Sequence, residues 1–303
     1  MPKLEISVCV LALDEEKNLK ACLESVKGWA GEIIVGVDNQ TSDKTLKIAK
    51  DFTEKAYLLP HKELFNINKQ KVVNGAVKKW VLWLDADEKV SPELAQEIKN
   101  IIKSPTSDSY QMPRKNYIFN KWIQYSGWYP DHQLRLWKKG KVKWPQKSVH
   151  EDPVVKGSTE KLTGHLLHNN YTSVSQYLMK LNRYTSHDAK RRKNEFKDKF
   201  VLYFVSRPIE EFVKRFVALK GYKDGLHGLA LSLLQAFYEL VVVIKVWEIY
   251  KFKDEESDVL KQVKKEGIRV LKSFNWWKKE LKIRESGNKL KRNWYKGLRK
   301  LGF

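Results

Sequence analysis

Asp85-Ala86-Asp87 follows the apolar run 80–84, and Glu88 and Ser91-Pro92-Glu93-Leu94 come after it. Two carboxylates one residue apart at the end of a buried strand stand beside a cleft and can share a divalent cation. Hard oxygen ligands suit Mg²⁺ or Mn²⁺, and phosphate oxygens and water usually complete the shell. A metal held there screens a diphosphate and stabilises it as a leaving group. Asp-x-Asp alone is a weak motif. Its weight here comes from its position between a hydrophobic strand and a capped helix. His150-Glu151-Asp152 is a second acidic cluster that could move a proton.

These residues need a scaffold, and the periodicities supply one. Residues 4–11 (LEISVCVL) are rich in β-branched residues and read as a strand. A helix follows over 14–27, with Asp14 as N-cap and Leu19, Cys22, Leu23 and Val26 at helical spacing. Residues 33–37 form a second strand ending at Asp38, and a helix over 44–53 is capped by Thr41-Ser42-Asp43. A third strand at 56–59, a helix at 69–79, the strand at 80–84 and a helix at 91–103 complete the series. Ser91 caps that last helix, with Pro92 in its first position. Strands and helices in strict alternation predict a mostly parallel sheet with helices on both faces. Such sheets bind ligands beyond the carboxyl ends of their strands, where Asp14, Asp38 and Asp85–Asp87 all fall. Residues 108–170 read as short mixed strands and loops, and the pattern from Val174 onward is helical. This places one domain at 1–172 and a helical region at 173–303.

The chain of 303 residues is 42% apolar, enough for a real core. Its two cysteines, Cys9 and Cys22, form neither a disulfide framework nor a zinc site, as befits a reducing compartment. The N-terminus reads as a strand rather than a signal peptide. The net charge of +22 is uneven: +6 over residues 1–170 and +16 over 171–303. The C-terminal part therefore faces something anionic, be it nucleic acid, phospholipid or a phosphorylated substrate.

Taken in order, SVCVLALDEEKNLKACLESVKGWAGEIIVGVDNQTSDKT, WVLWLDADEKVSPEL, WYPDHQLRLWKKGKVKW, SVHEDPVVKG and Leu166-Leu167-His168 resemble family 2 glycosyltransferases of the GT-A fold. Within that family the likeness is to bacterial enzymes of lipopolysaccharide core and surface polysaccharide synthesis. The resemblance implies a metal-dependent, inverting transfer of a sugar from a nucleotide-sugar, UDP-sugar favoured, to a hydroxyl of a lipid-linked or surface glycan. Leu13, Glu15, Asp38, Lys69, Asp85 and Ala86 would hold the donor, with Asp38 accepting a hydrogen bond from the base. Asp87, Asp85 and His168 would hold Mg²⁺ or Mn²⁺; His168 could instead contact the diphosphate, and a lone histidine is more often structural. Glu151 would take the acceptor's proton, with Asp152 as its rival. Trp128, Asp131, His132, Gln133 and Arg135 would line the acceptor side; alternatively, Arg135 is the exposed face of a strand. The chain departs from the family pattern at Asp14 and at Gln70, where asparagine is usual.

Residues 226–247 are the most apolar stretch, and Leu226, Leu229, Leu233, Phe237, Leu240, Ile244 and Trp247 share one face. A spanning helix needs about 20 apolar residues with few charges. Polar interruptions favour a helix in the membrane interface or packed on its neighbours. The last stretch mixes Trp276, Trp277, Trp294 and Tyr295 with many cations, a composition suited to anionic lipid headgroups. A cytoplasmic enzyme peripheral to the inner face of the cell membrane is the expectation. A nucleotidyltransferase would need a glycine-rich loop after the first strand, and LALDEEKNL has none. A non-catalytic nucleic-acid binder would use the same cations, but no nucleic-acid-binding motif is present.

Overall fold

The computed structural model describes residues 3–62, 64–145, 153–197, 199–255 and 258–300. The chain divides into two compact units, residues 1–118 with 129–170, and residues 119–128 with 171–303.

In the first unit the elements run β1 (Ile6–Ala12), α1 (Leu19–Lys27), β2 (Glu32–Asp38), α2 (Thr45–Phe52), β3 (Ala56–Leu59), α3 (Phe65–Asn74), β4 (Trp80–Asp85), β5 (Glu88–Val90), α4 (Pro92–Lys103) and β6 (Ser109–Ile118). The two-residue strand β7 (Lys121–Trp122) lies in the second unit. Then come β8 (Asp131–Lys138), β9 (Val142–Lys143), β10 (Val154–Val155), β11 (Thr159–Lys161) and β12 (Leu166–Tyr171). The strand order is β3-β2-β1-β4-β8-β6-β12-β5, with β11 beside β6. The first four strands are mutually parallel. β8 joins β4 and β6 in antiparallel register, and β12 joins β5 the same way.

Strand alternation sorts the core onto two faces. Ile6, Val8 and Val10 of β1 meet Leu19, Leu23 and Val26 of α1, Ala49 of α2 and Leu94 of α4. Cys9 points the other way, into Val72 and Val73 of α3 with Trp83, Trp137 and Trp144. Gly36 of β2 lies under α3: a Cβ there would come within 2.6 Å of Val72 Cγ2, so only glycine lets the helix pack this closely.

Two local expectations shift. Asp14 does not cap α1. It adopts φ +53°, its carboxylate accepts the Ser42 N–H at 2.8 Å, and the N-cap position falls to Asn18. α3 starts and stops earlier than 69–79, because Asn66 and Asn68 are helical and Gly75 ends the helix. Ser91 behaves as expected, accepting the Leu94 N–H at 3.2 Å.

The second unit holds α5 (Val174–Phe196), α6 (Phe200–Phe212), a π-helical turn (Val213–Ala218), a 3₁₀ turn (Gly221–Asp224), α7 (Leu226–Ile249), α8 (Val259–Glu285) and α9 (Lys289–Lys300). Ala189, Phe196, Phe200, Val242, Val243 and Val246 form its core. On α7, Gly228, Leu231, Ser232 and Ala236 are covered, whereas Leu226, Leu233, Phe237 and Ile244 of the shared apolar face are exposed. The helix is apolar on nearly every side, so close approach decides which side packs. At Gly228 a Cβ would collide with the Gly221 carbonyl oxygen. By length and composition alone, α7 could cross a membrane.

Candidate active site

The parallel strands deliver their acidic ends to one edge of the sheet. Leu13 and Glu15 follow β1, Asp38 ends β2, and Asp85 ends β4 with Ala86 and Asp87 in the turn beyond. The Glu15 N–H donates to Thr45 Oγ1 at 2.7 Å, while its carboxylate accepts from Asn18 Nδ2 at 2.8 Å. Asp43 accepts from the Thr45 and Glu16 N–H groups and so ties the β1 turn to the start of α2. Asp38 is only 2% exposed. Its oxygens accept the Gln40 N–H at 3.0 Å and lie 2.9 Å from His61 Nδ1.

Asp85 sits in a cationic cage. Arg135 Nη2 bonds its carboxylate, Trp83 Nε1 donates to Oδ1 at 3.0 Å, and Lys69 Nζ lies 3.8 Å away over the Trp83 ring. Desolvation would raise this carboxyl's pKa. The Arg135 guanidinium outweighs it, with Lys69 and Arg114, and holds the group well below the usual carboxylate range. Glu88, one residue past Asp87, was absent from the expected site. It is fully buried. Its Oε1 accepts from Arg135 at 2.7 Å and Arg114 at 3.1 Å, and its Oε2 accepts the Asp85 N–H at 3.0 Å. Arg114 continues to Asp131, whose other partners are Asn116 and Gln133. A ladder of alternating charge thus runs Lys69, Asp85, Arg135, Glu88, Arg114, Asp131.

Arg135 owes its aim to a register shift. β6 and β8 slip between Tyr110 and Gln111, so Leu136 faces Tyr110, Leu134 faces Gln111, and Arg135 is the extra residue. Such bulges re-aim side chains beside functional sites. The exposed-strand alternative is therefore wrong: Arg135 is 6% exposed. Burial alone would lower its pKa, but Asp85 and Glu88 raise it.

Asp87 faces a different partner. His168 Nε2 lies 3.4 Å from Asp87 Oδ2, and Asn116 Oδ1 lies 2.6 Å from His168 Nδ1. The Asp87 carbonyl also accepts the Asn169 N–H at 3.0 Å. An imidazole whose Nδ1–H is held by an amide oxygen turns the lone pair of Nε2 outward, the arrangement common among metal-bound histidines. This donor pair fits a divalent cation. Among the described residues no group of three or more His, Cys, Asp or Glu side chains converges on one, so remaining ligands would be phosphate oxygens and water.

A cavity of about 320 Å³ opens beside Asp85, and Lys69, Arg114, His132, Gln133 and Arg135 are among its walls. Trp144 and Pro153 also line it. Asp131 sits behind Arg114, at the start of β8. Trp128 belongs to the second unit, where Arg215 lies over its ring. Glu151 and Asp152 lie outside the described residues. Glu88, Asn116, Arg114 and His61 were missed from sequence. Only Glu88 carried a local signal, its adjacency to Asp-x-Asp.

Residues 7–156 match the family model described as Glycosyl transferase family 2. An uncharacterized glycosyltransferase of Rickettsia typhi is 28% identical over 81% of this chain and 87% of its own. The lipopolysaccharide core biosynthesis glycosyltransferase LpsC of Rhizobium meliloti is 24% identical over 84% of this chain and 96% of its own. Among solved structures, S. aureus TarS 1-349 in complex with UDP overlaps with a TM-score of 0.41 at 13% identity, covering 83% and 93% of the two chains. The chain belongs to glycosyl transferase family 2 and is a glycosyltransferase, with its family domain over residues 7–156.

Proposed function

We propose that the chain transfers a sugar, with inversion, from a nucleotide-sugar to a hydroxyl of a lipid-linked or surface glycan. A UDP-sugar is the favoured donor. The carrying observation is the meeting of Glu15, Asp38 and Asp85–Asp87 at one strand edge beside a polar cavity. LpsC, named for lipopolysaccharide core biosynthesis, supports the acceptor class.

The two acids of Asp-x-Asp divide the labour. Asp85 is engaged by Arg135, Trp83 and Lys69, which suits it to orient the ribose side of the donor. Asp87 and His168 would hold the cation, which supplies charge neutralisation for the departing diphosphate. Imidazole beside carboxylate suits Mn²⁺ better than Mg²⁺, which prefers an all-oxygen shell. Lys69 stands by as a second cation for the phosphates. Glu151 takes the proton from the acceptor hydroxyl as that oxygen attacks the anomeric carbon. Trp144 and Pro153, which flank Glu151 in sequence, line the cavity. Asp131 is a poor competitor: desolvation raises its pKa, but Arg114, with Asn116 and Gln133, outweighs this and lowers it, weakening it as a base. Asp152 is the remaining rival.

The helical unit would rest on an anionic membrane surface at the cytoplasmic face. Leu260, Leu271, Trp276, Leu290 and Trp294 of α8 and α9 are exposed among many lysines and arginines, a mixture that suits charged headgroups and their apolar boundary.

Melting temperatures with a panel of nucleotide-sugars, with and without Mn²⁺, test the donor site, because a ligand of the native state raises Tm. A metal-dependent shift that Asp87→Ala abolishes is expected. Glu151→Gln should keep that shift and lose transfer. Absence of any shift in the wild type would overturn donor binding.

A further inference from the structure

β2 and β3 end side by side, with Asp38 opposite Leu59. Two residues beyond β3, the His61 backbone N–H donates to Asn39 Oδ1 at 2.9 Å. Its ring Nδ1 lies 2.9 Å from Asp38 Oδ2. The other Asp38 oxygen accepts the Gln40 N–H. Asp38 is thus buried with both oxygens engaged, while the His61 side chain is 31% exposed. The imidazole stands between the carboxylate and solvent at the edge where the donor would bind.

A carboxylate only accepts, so the proton of this contact belongs to Nδ1. In the neutral ring the Nε2 then carries a lone pair and is an acceptor. Among the described residues Nε2 has no hydrogen-bond partner. The dyad therefore offers one oriented acceptor at the strand edge, fixed through the tautomer by Asp38 and through the backbone by Asn39.

We infer that His61, rather than Asp38, reads the nucleobase of the donor, and that this base carries a ring N–H. Uracil (N3–H) and guanine (N1–H) satisfy that demand. Cytosine and adenine present a ring acceptor at the corresponding position and would set lone pair against lone pair. A site built to pair one hydrogen-bonding group discriminates strongly against an analogue lacking it, because a polar atom is then left unmatched. Asp38 is a positioning residue in this scheme, acting through the imidazole. The inference rests on the nucleotide-sugar reading above and deepens it by naming the class of base.

Calorimetric titration of the full chain at pH 8.5 with Mn²⁺ tests it, using UDP, N3-methyl-UDP, CDP and GDP as probes. The wild type should bind UDP or GDP, with CDP roughly 10-fold weaker or more. If UDP is the ligand, N3-methylation should cost it a similar factor; tighter binding of GDP would assign guanine. His61→Ala should lose roughly 3–10-fold for the preferred nucleotide, the worth of one neutral hydrogen bond. In that variant UDP and N3-methyl-UDP should bind alike. Asp38→Asn should narrow the UDP-to-CDP ratio, because it no longer dictates the tautomer; a purely structural Asp38 would lower both affinities equally.

Equal binding of UDP and CDP by the wild type, a preference for CDP, or wild-type UDP affinity in His61→Ala would each overturn the role of His61 and leave donor binding intact. His61→Phe, which keeps a ring in place but offers no acceptor, should also bind UDP and N3-methyl-UDP alike, so poor folding of His61→Ala does not blunt the test. Failure of every nucleoside diphosphate to bind the wild type would disprove donor binding itself, and with it the role of His61.

Discussion

Glu88 and Arg135 meet at 2.7 Å in the sheet interior, and neither has more than a trace of exposed surface. Through this contact the Asp-x-Asp turn is held from beneath: Glu88 accepts the Asp85 N–H, and Arg135 bonds the Asp85 carboxylate. The metal-side acid, Asp87, is left to His168.

Removing Glu88 takes a buried carboxylate from Arg135 and Arg114 and leaves each with one acidic partner, Asp85 and Asp131. Losing one member of a buried ion pair costs about 3–5 kcal/mol. Glu88→Ala should therefore lower Tm by roughly 10 °C, and Glu88→Gln, which keeps an acceptor, by clearly less. Thermal melts of the two variants read this directly, and near-wild-type melting of Glu88→Ala would show that the ladder is not needed for stability.

Asn116 Oδ1 holds the His168 ring at Nδ1, on the side away from Asp87. Outer-shell partners of metal-bound histidines typically alter metal affinity 10–100-fold. Asn116→Ala should weaken Mn²⁺ binding, read by electron paramagnetic resonance, by about 10-fold or more, whereas Asp87→Ala should abolish it. Unchanged Mn²⁺ affinity in Asn116→Ala would mean that the His168 ring does not ligate.

Acid should undo the ladder in a definite direction. Asp85 and Asp131 are both held below the carboxylate value of about 3.9 that they would show in the unfolded chain. Their contribution to stability is complete above that value and is lost as pH falls below it toward the folded pKa. The Tm difference between wild type and Asp131→Asn should be largest near neutrality and shrink from about pH 4 downward. A difference that stays constant across this range would remove Asp131 from the linkage.

Both cysteines should be silent in the native enzyme. Cys9 and Cys22 are fully buried, and desolvation, aided by Glu32 for Cys9 and by Glu88, Asp87, Asp85 and Glu15 for Cys22, pushes both thiols up. Thiolate is the reactive form. A colorimetric thiol reagent should find no reactive group in the folded chain and both groups after denaturation. Rapid native labelling would mean that the core around α1 or α3 opens easily.

The parallel half of the sheet was legible because continuous apolar strands, buried on both faces, alternate there with amphipathic helices. Where reading failed, the controlling partner lay far away in the chain. α3 was placed late because Asn66 and Asn68 look like loop residues. In the fold they are buried, and their amides donate to the Pro145 and Pro60 carbonyls. Asp14 looks like a cap until its left-handed backbone turns it toward Ser42. The acids of the site were visible as strand-end residues. Lys69 and Arg135 were visible too, but not their pairing with Asp85, since Arg135 reaches it only through a bulge in β8. On α7 the apolar pattern allowed several faces, and Gly228 and Ser232 selected the one that packs.

β5 and β12 pair with Glu88 directly opposite His168. Everything from α4 through β11 lies between those two residues in the chain. Closing so long a loop costs entropy before the contact returns anything, which makes such pairings late events in folding. Asp85 and Asp87 are present as soon as β4 forms, yet the imidazole that completes the cation pair arrives only with β12. Mn²⁺ affinity should therefore emerge with the last step of refolding, and the metal would act as a clasp on the finished sheet rather than as a nucleus for it.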